Sequence, residues 1–314
     1  MKELRIIFMG TPDFAVGILD AMYKNNYNVV AVITAADKPA GRGQKIKYSA
    51  VKEYALTHNL PLLQPTNLKD PIFLEELASY DANLQVVVAF RMLPETVWKM
   101  PALGTFNLHA SLLPDYRGAA PINWAIMNGE TKTGVTTFFI DEKIDTGAII
   151  LKEETLIDPN ENVGQLHDRL MELGAQTVLK TLDLIAQGKV NTITQPNEDT
   201  KTAYKLNKDN CKIDFSKTAQ EIHNHIRGLS PYPAAWCTLL NNGIENNIKI
   251  YDCNYTLDTH DLSIGVISIE HKMLKVAVKN GFLIINSLQL PGKKQMNIKD
   301  LLNGYSFSID AKLT

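Results

Sequence analysis

The residues best suited to chemistry lie in the segment 107–122, NLHASLLPDYRGAAPI. Asn107 and His109 are two positions apart, and in an extended strand such residues point to the same face. An amide can donate hydrogen bonds, and an imidazole can donate or accept one near neutral pH. The pair therefore suits a reaction in which negative charge develops on a carbonyl oxygen, such as acyl or formyl transfer. Taken alone, the triplet favours a structural histidine at a strand end.

The sequence around this pair predicts a strand, a loop and a helix. Residues 105–108 alternate small polar and apolar side chains, Pro114 and Gly118 interrupt regular structure, and Pro121 is well placed to begin a helix. In an open α/β sheet, ligands bind beyond the carboxyl ends of the strands. We therefore expect the amide and the imidazole to face a crevice at that edge.

Strand-like and helix-like segments alternate up to residue 187. Apolar runs at 4–9 and 28–34 predict strands, and the nearly unbroken run at 84–90 predicts a central strand covered on both faces. Apolar spacing predicts a long helix over 163–187. The turn that begins at Gly10 matches neither a G-x-G-x-x-G nor a Walker A loop, so neither a dinucleotide nor a triphosphate site is indicated. The pattern is typical of an α/β, Rossmann-like, mostly parallel sheet.

The second part of the chain has a different pattern. Residues 188–207 are polar and predict a linker, and the short strands with intervening turns over 208–314 predict a small barrel. His223 and His225 fall within a predicted helix. Positions two apart on a helix diverge by about 200°, so we expect surface histidines rather than a shared metal site.

Composition limits the class of protein. The 314 residues exceed the usual size of one domain, and 45% hydrophobic with 21% charged residues is typical of globular proteins. No apolar run approaches the roughly 20 residues of a membrane span, and the N-terminal segment lacks a signal-peptide pattern, so we expect a cytoplasmic protein. The three cysteines form no C-x-x-C pair, which argues against a disulfide framework or zinc site. A net charge of −2 argues against indiscriminate nucleic-acid binding.

A long polar insert, AADKPAGRGQKIKYS, is predicted over residues 35–49. Loops of this length within compact domains are usually functional or disordered. Two interpretations remain open: a lid that contacts phosphate groups, or a solvated mobile loop, which the charge run alone favours. After Asp37, the cations of the insert are Lys38, Arg42, Lys45 and Lys47.

HASLLP followed by RGAAPI resembles the signature of the folate-dependent formyltransferases, and the form with Ala-Ala-Pro-Ile is most similar to the branch that acts on methionyl-tRNA. That family uses an asparagine, a histidine two residues on, and an aspartate in a D-T-G turn. The resemblance therefore implies Asn107, His109 and Asp145 as catalytic residues. RGLSPYPAAW, residues 227–236, resembles the start of the family's C-terminal OB-like domain.

The resemblance also implies domains, ligands and partners. It implies a formyltransferase domain at 1–187, a linker at 188–207 and an OB-like tRNA-binding domain at 208–314, in a monomer without a metal. The formyl donor would be 10-formyltetrahydrofolate and the acceptor initiator methionyl-tRNA. The implied folate contacts are Ser111, Leu112, Leu113, Pro114, Phe90, Met92, Leu93 and Asp141. The family's basic loop contacts the tRNA acceptor end, which implies Lys38, Arg42, Lys45 and Lys47 as tRNA contacts. Phe90 and Arg91 stand where most relatives have A-Y-G.

Other functions can be distinguished by sequence features. Glycinamide-ribonucleotide and sugar-nucleotide formyltransferases share the three catalytic residue types, but the former generally lack a C-terminal barrel and the latter lack the basic insert. An RNA-binding module whose α/β domain has lost activity is a hypothesis of a different class. The presence of Asn107, His109 and Asp145 together argues against it.

Overall fold

A computed structural model describes residues 3–40, 45–196 and 201–314. Its contacts divide the chain into two compact units, and each unit contains segments that are distant in sequence. The first unit comprises residues up to Gly118, Thr133–Thr155 and His167–Thr202; the second comprises Ala119–Lys132, Leu156–Leu166 and Ala203–Thr314. Among the described residues, no helix combines the length and apolar character that a membrane span requires.

Strands and helices alternate through the first 187 residues, as predicted. The described strands are β1 Arg5–Gly10, β2 Asn28–Ile33, β3 Lys38–Ala40, β4 Lys45–Lys47, β5 Leu62–Leu63, β6 Leu84–Val88, β7 Thr105–His109, β8 Arg117–Gly118, β9 Lys132–Phe139 and β10 Ile149–Leu156. The helices are α1 Asp13–Lys24, α2 Ala50–Thr57, α3 Pro71–Ser79, α4 Glu95–Trp98, α5 Pro121–Met127 and α6 Val163–Gln187.

In the part of the chain that the structure describes, seven strands form one sheet in the order β10-β9-β7-β6-β1-β2-β5. In the sheet order, neighbouring strands are parallel from β5 through β2, β1 and β6 to β7. Strand β9 runs antiparallel to β7. Every residue of β6 is buried, because this strand lies inside the sheet and is covered on both faces. The predicted Rossmann-like, mostly parallel sheet with a central apolar strand is confirmed.

Large aromatic side chains fill the core beside the strands that carry the site. Phe8, Phe106 and Phe138 are buried on β1, β7 and β9. Burial of such a side chain stabilises the fold by about 1.5–3 kcal/mol relative to exposure. Position 106 alternates with Asn107, so burial of the phenyl ring on one face of β7 directs the amide to the other.

The remaining elements contain a curled antiparallel sheet. The strands are β11 Thr202–Ala203, β12 Ala235–Asn241, β13 Ile244–Leu257, β14 Ile267–Glu270, β15 Met273–Val278, β16 Gly281–Gln289, β17 Met296–Asn297 and β18 Lys312–Leu313, and the helices are α7 Ala219–Leu229 and α8 Ile298–Leu301. Lys312 of β18 pairs with Leu240 of β12 and also with Val266, just before β14. The two edges of the sheet therefore meet, which confirms the predicted OB-like barrel.

The prediction that His223 and His225 are surface residues is wrong for His223, and His225 is only partly exposed. Helix α7 contacts both α5 and β13, so more than one of its faces is covered. His223 is 7% exposed, and the Nε2 atom of His225 is buried without a hydrogen-bond partner among the described residues. Burial lowers the pKa of both imidazoles, and the nearby Arg227 guanidinium lowers the pKa of His223 further.

We expect acidification to destabilise the second unit. Both histidines have folded-state pKa values below the ordinary value of 6.5, so the unfolded chain takes up protons first as the pH falls. The free energy of unfolding should therefore decrease from the unfolded pKa down to the lowered folded pKa. Urea unfolding midpoints at about pH 7.5 and pH 5.5 measure this slope.

A matched pair of variants tests whether His225 causes this pH dependence of the unfolding midpoint. His225→Asn should reduce the pH dependence of the midpoint, because it removes one of the buried titrating groups. His271→Asn should leave the pH dependence intact, because His271 is exposed in a turn. An unchanged slope in His225→Asn would contradict the assignment.

Candidate active site

Strand β7 presents Asn107 and His109 on one face of the sheet, as their spacing predicted. Asn107 is partly exposed and lies between Val87 of β6 and Phe138 of β9. Within the residues that the structure describes, its side-chain amide has no hydrogen-bond partner. The amide is therefore available to a ligand at this position.

The imidazole of His109 has a defined protonation pattern. His109 is 7% exposed, and its Nε2 atom lies 2.8 Å from the carbonyl oxygen of Tyr116. Because a carbonyl oxygen can only accept, Nε2 carries a proton, and Nδ1 is the nitrogen that can gain or lose one. Nδ1 lies 3.8 Å from Oδ2 of Asp145. That distance is too long for a direct hydrogen bond but short enough for attraction to a protonated ring.

Asp145 reaches the imidazole through the turn after β9. Because β9 is antiparallel to β7, Phe139 pairs with Phe106 near the start of β7, and the turn must run back towards His109. Asp145 adopts a left-handed backbone with φ 55°, and its Oδ2 accepts the backbone N–H of Gly118 at 2.9 Å. The structure therefore brings together the predicted acid and imidazole from segments 36 positions apart.

Gly147 is required by the path of this turn. A Cβ atom at position 147 would lie 1.6 Å from the carbonyl oxygen of Phe139. No side chain can occupy that space, so the turn can pack on the end of β9 only with glycine here. The glycine of the D-T-G sequence is therefore required for steric reasons, in addition to matching the family's motif.

The loop after β7 is internally hydrogen-bonded. The Ser111 hydroxyl donates to the backbone carbonyl four residues on at 2.7 Å, and the Thr136 hydroxyl donates to the Ser111 carbonyl at 2.7 Å. Ser111 and Leu113 are completely buried. Among the predicted folate contacts of this loop, Leu112 and Pro114 have partly exposed side chains. Of these four predicted contacts, Leu112 and Pro114 are therefore the side chains accessible to a ligand.

The loop after β6 begins beside His109, because Val88 pairs with Leu108 in the parallel register. Phe90 and Leu93 pack against the core on this side of the sheet, whereas Met92 is 68% exposed. Of the three predicted pocket residues, Met92 is thus the most accessible.

Arg91 holds this loop from outside the sheet. Its guanidinium donates to the backbone carbonyls of Pro65 at 2.5 Å and Thr66 at 3.1 Å. Arg91 therefore anchors the loop after β6 to the segment after β5.

Asp141 stabilises the turn that carries Asp145. It is exposed, and its Oδ1 accepts from the Lys143 N–H at 3.1 Å and from the Thr146 hydroxyl at 2.7 Å. In the part of the chain that is described, no group of three or more His, Cys, Asp or Glu side chains could hold a metal ion. Asp141 thus has a local structural role in this turn.

The basic insert contains a β-hairpin rather than only a loop. Strands β3 and β4 pair antiparallel, with Lys38 opposite Lys47 and Lys45 opposite Ala40. Lys38 and Lys47 are exposed, and like charges directly opposite each other are destabilising unless an anion compensates them. Arg42, the fourth predicted tRNA contact, lies outside the described residues.

The base of this hairpin is fixed to the first unit. Thr34 precedes the insert and Ser49 ends it, and their hydroxyls are 2.8 Å apart. The carboxylate of Asp37 accepts from the Lys52 ammonium at 2.5 Å and from the Gln64 amide at 2.8 Å. The two strands that carry Lys38 and Lys47 are therefore anchored at their base.

Sequence reasoning missed Gly118 and Gln195, which hydrogen-bond to Asp145 or its turn, and Arg117, which hydrogen-bonds to Gln195. Gly118 and Arg117 lie in the quoted motif, but their types suggested no contact with Asp145 or Gln195. Gln195 lies in a polar segment with no periodic pattern, so no local signal could have identified it. Its contacts become evident only in the folded chain.

Both halves of the chain match models of known families. Residues 4–182 match the formyl transferase model, and residues 205–306 match the formyl transferase C-terminal domain model. The chain therefore belongs to the formyltransferase family. Its curated relatives include the methionyl-tRNA formyltransferase of Flavobacterium johnsoniae, 67% identical with 100% of each chain covered. The methionyl-tRNA formyltransferase of Flavobacterium psychrophilum is 65% identical, with 98% of each chain covered.

A solved structure shares the fold at much lower identity. The N-formyltransferase from Helicobacter canadensis, crystallised with folinic acid and dTDP-3-aminofucose, matches with a TM-score of 0.65 and 23% identity. The match covers 91% of this chain and 99% of that chain. At this identity the likeness supports the fold alone.

Proposed function

We propose that this protein transfers the formyl group of 10-formyltetrahydrofolate to the α-amino group of initiator methionyl-tRNA, giving formylmethionyl-tRNA and tetrahydrofolate for translation initiation. The observation that carries this proposal is the 67% identity to a methionyl-tRNA formyltransferase over the full length of both chains. Because the match includes both halves, it bears on the acceptor as well as on the formyl donor.

Asn107 and His109 stabilise the charge that develops during transfer. As the amine nitrogen attacks the formyl carbon, the formyl oxygen becomes negative, and the free amide of Asn107 donates a hydrogen bond to it. His109 keeps its Nε2 proton on the Tyr116 carbonyl and holds a second proton at Nδ1. From Nδ1 it donates to the oxygen or, directly or through a water molecule, to the departing N10.

Asp145 completes the proton balance. Its carboxylate stabilises the protonated His109 ring across 3.8 Å and helps remove the proton that the attacking amine must lose. One carbon–nitrogen bond forms on the amine and the bond to N10 breaks, while one proton leaves the amine and one arrives at N10. No covalent intermediate on the protein is needed, since the Ser111 hydroxyl is committed to a backbone carbonyl.

We assign the domains and the ligand contacts as the resemblance implies. Catalysis belongs to 1–187, the linker to 188–207 and tRNA binding by an OB-like domain to 208–314. The folate contacts are side chains or backbone of the two loops beside His109, together with Asp141. Since the proposed acceptor serves translation initiation, we propose a cytoplasmic enzyme. We propose that it acts as a monomer, as the resemblance implies.

Single-turnover transfer of a radiolabelled formyl group tests the function. The purified protein is mixed with labelled 10-formyltetrahydrofolate and one acceptor at a time: initiator methionyl-tRNA, glycinamide ribonucleotide or a dTDP-amino sugar. We expect label on methionyl-tRNA only. Label on another acceptor would reassign the substrate. If no acceptor is labelled while the tRNA still binds, the protein is an RNA-binding module without transferase activity.

We expect the paired lysines of the hairpin to contact tRNA phosphates. Replacing Lys38 and Lys47 together by alanine should raise the KM for methionyl-tRNA at least about tenfold, because two charge-assisted contacts are lost. The slope of log affinity against log salt should fall by about one for each lysine. Steady-state kinetics and tRNA binding at several salt concentrations measure both.

A second double variant controls for the loss of charge alone. Lys24 and Lys69 are exposed elsewhere in the first unit, so their replacement by alanine should leave the KM for tRNA and the salt slope unchanged. Equal effects of the two double variants would refute a specific contact by the hairpin. The KM for the folate should stay constant throughout.

A further inference from the structure

Gln195 is a buried side chain in the segment that the sequence predicted as a linker. It is 6% exposed, and two residues earlier Ile193 pairs with Ile149 of β10. The side-chain Nε2 donates to the backbone carbonyls of Asp145 at 3.0 Å and Gly147 at 2.8 Å. Gln195 therefore donates both of its amide protons to the turn that carries the proposed catalytic acid.

The other end of the same amide contacts Arg117. Its Oε1 accepts from Nη2 of Arg117 at 2.6 Å and from Nε at 3.2 Å. Arg117 is followed by Gly118, whose backbone N–H donates to the Asp145 carboxylate. Carbonyls require a donor and a guanidinium requires an acceptor, so these partners leave one orientation for the amide.

We propose that Gln195 is a positioning residue for formyl transfer, which holds Asp145 beside His109, where its carboxylate stabilises the protonated ring. The inference rests on the catalytic role of Asp145 proposed above. Gln195 fixes the backbone on both sides of Thr146. Arg117 holds the other end of the Gln195 amide, and the backbone N–H of Gly118 holds the Asp145 carboxylate. The closed set of hydrogen bonds explains how a non-glycine residue keeps the left-handed conformation at φ 55°.

Gln195→Leu tests this role because leucine has a similar size but neither donates nor accepts a hydrogen bond. We expect kcat to fall about 10- to 100-fold, the loss that follows when a reacting group moves by about 1 Å. The KM values for folate and methionyl-tRNA should change by less than about twofold, because Gln195 contacts only the turn and Arg117. Circular dichroism checks that the variant is folded.

Two further variants separate positioning from general stability. Gln195→Glu keeps an acceptor for Arg117 but cannot donate to the two carbonyls, so it should lose kcat as well. Gln187→Leu removes an exposed glutamine at the end of α6 and should retain full activity. Equal kcat in Gln195→Glu and the unchanged protein would overturn the proposal, as would equal losses in Gln187→Leu and Gln195→Leu.

A double-mutant cycle with Asp145→Ala decides whether Gln195 acts through Asp145. If it does, Gln195→Leu should lower kcat by less than about threefold once Asp145 is already alanine. An equal loss in both backgrounds would assign Gln195 to stability and overturn the proposal. If Asp145→Ala itself retains near-normal kcat, the catalytic assignment of Asp145 fails, and that result is distinct from a normal rate in Gln195→Leu alone.

Discussion

His109→Ala is expected to lower kcat at least about 100-fold, since it removes both a general acid and a hydrogen-bond donor to the developing oxyanion. The Nε2 atom of His109 is held by the Tyr116 carbonyl and its Nδ1 atom faces Asp145, so alanine leaves Asp145 without its imidazole partner. Single-turnover formylation of methionyl-tRNA with saturating folate measures the chemical step directly. The same loss is expected for Asn107→Ala and Asp145→Ala, each measured separately.

His167→Ala provides a matched control. His167 is in the same unit, and its imidazole contacts Asp168 and the ring of Phe14 at the protein surface, so its loss should leave kcat unchanged. Each variant is compared by its thermal midpoint to verify folding. Near-normal transfer by any one of the three active-site variants would remove that residue from the proposed mechanism.

Gly147→Ala is expected to cause a comparable loss of activity without touching a reactive group. The added methyl would approach the Phe139 carbonyl oxygen to 1.6 Å, so the turn must move away from β9 and carry Asp145 with it. A displacement of about 1 Å at a reacting group is enough for a loss of about 100-fold in kcat. Strain of this kind also costs about 1–3 kcal/mol of stability, which urea unfolding measures.

Gly304→Ala controls for the change of residue type. A Cβ atom at position 304 would meet nothing within 4 Å, so activity and stability should both be retained. Full activity in Gly147→Ala would mean that the turn has room to relax while keeping Asp145 in place. That result would weaken the argument that the close approach at position 147 determines the geometry of the site.

Much of the architecture could be predicted because it depends on local patterns. The unbroken apolar run gave strand β6, the apolar spacing over 163–187 predicted helix α6, and short strands separated by turns predicted the small barrel. Burial on one or both faces produces a regular pattern of apolar residues in the sequence, and this pattern can be recognised without knowledge of distant segments.

Other features of the fold produced no such pattern in the sequence. The hairpin of β3 and β4 was not predicted because its strands are three residues long, which is too short for a periodic pattern. His223 was predicted to be exposed because a helix that packs on two sides does not have one apolar face. These differences arise where packing of neighbouring elements overrides the local pattern.

The sequence by itself determined which residue types the site contains: an amide and an imidazole on one strand, and a carboxylate two residues before a glycine. Only the tertiary structure decided that His109 and Asp145 lie 3.8 Å apart, that Nδ1 faces the carboxylate, and that Gln195 holds the turn. The physical reason is that residue types and strand periodicity are local properties. Distances between segments far apart in the chain depend on how loops pack and on which backbone groups remain to be hydrogen-bonded.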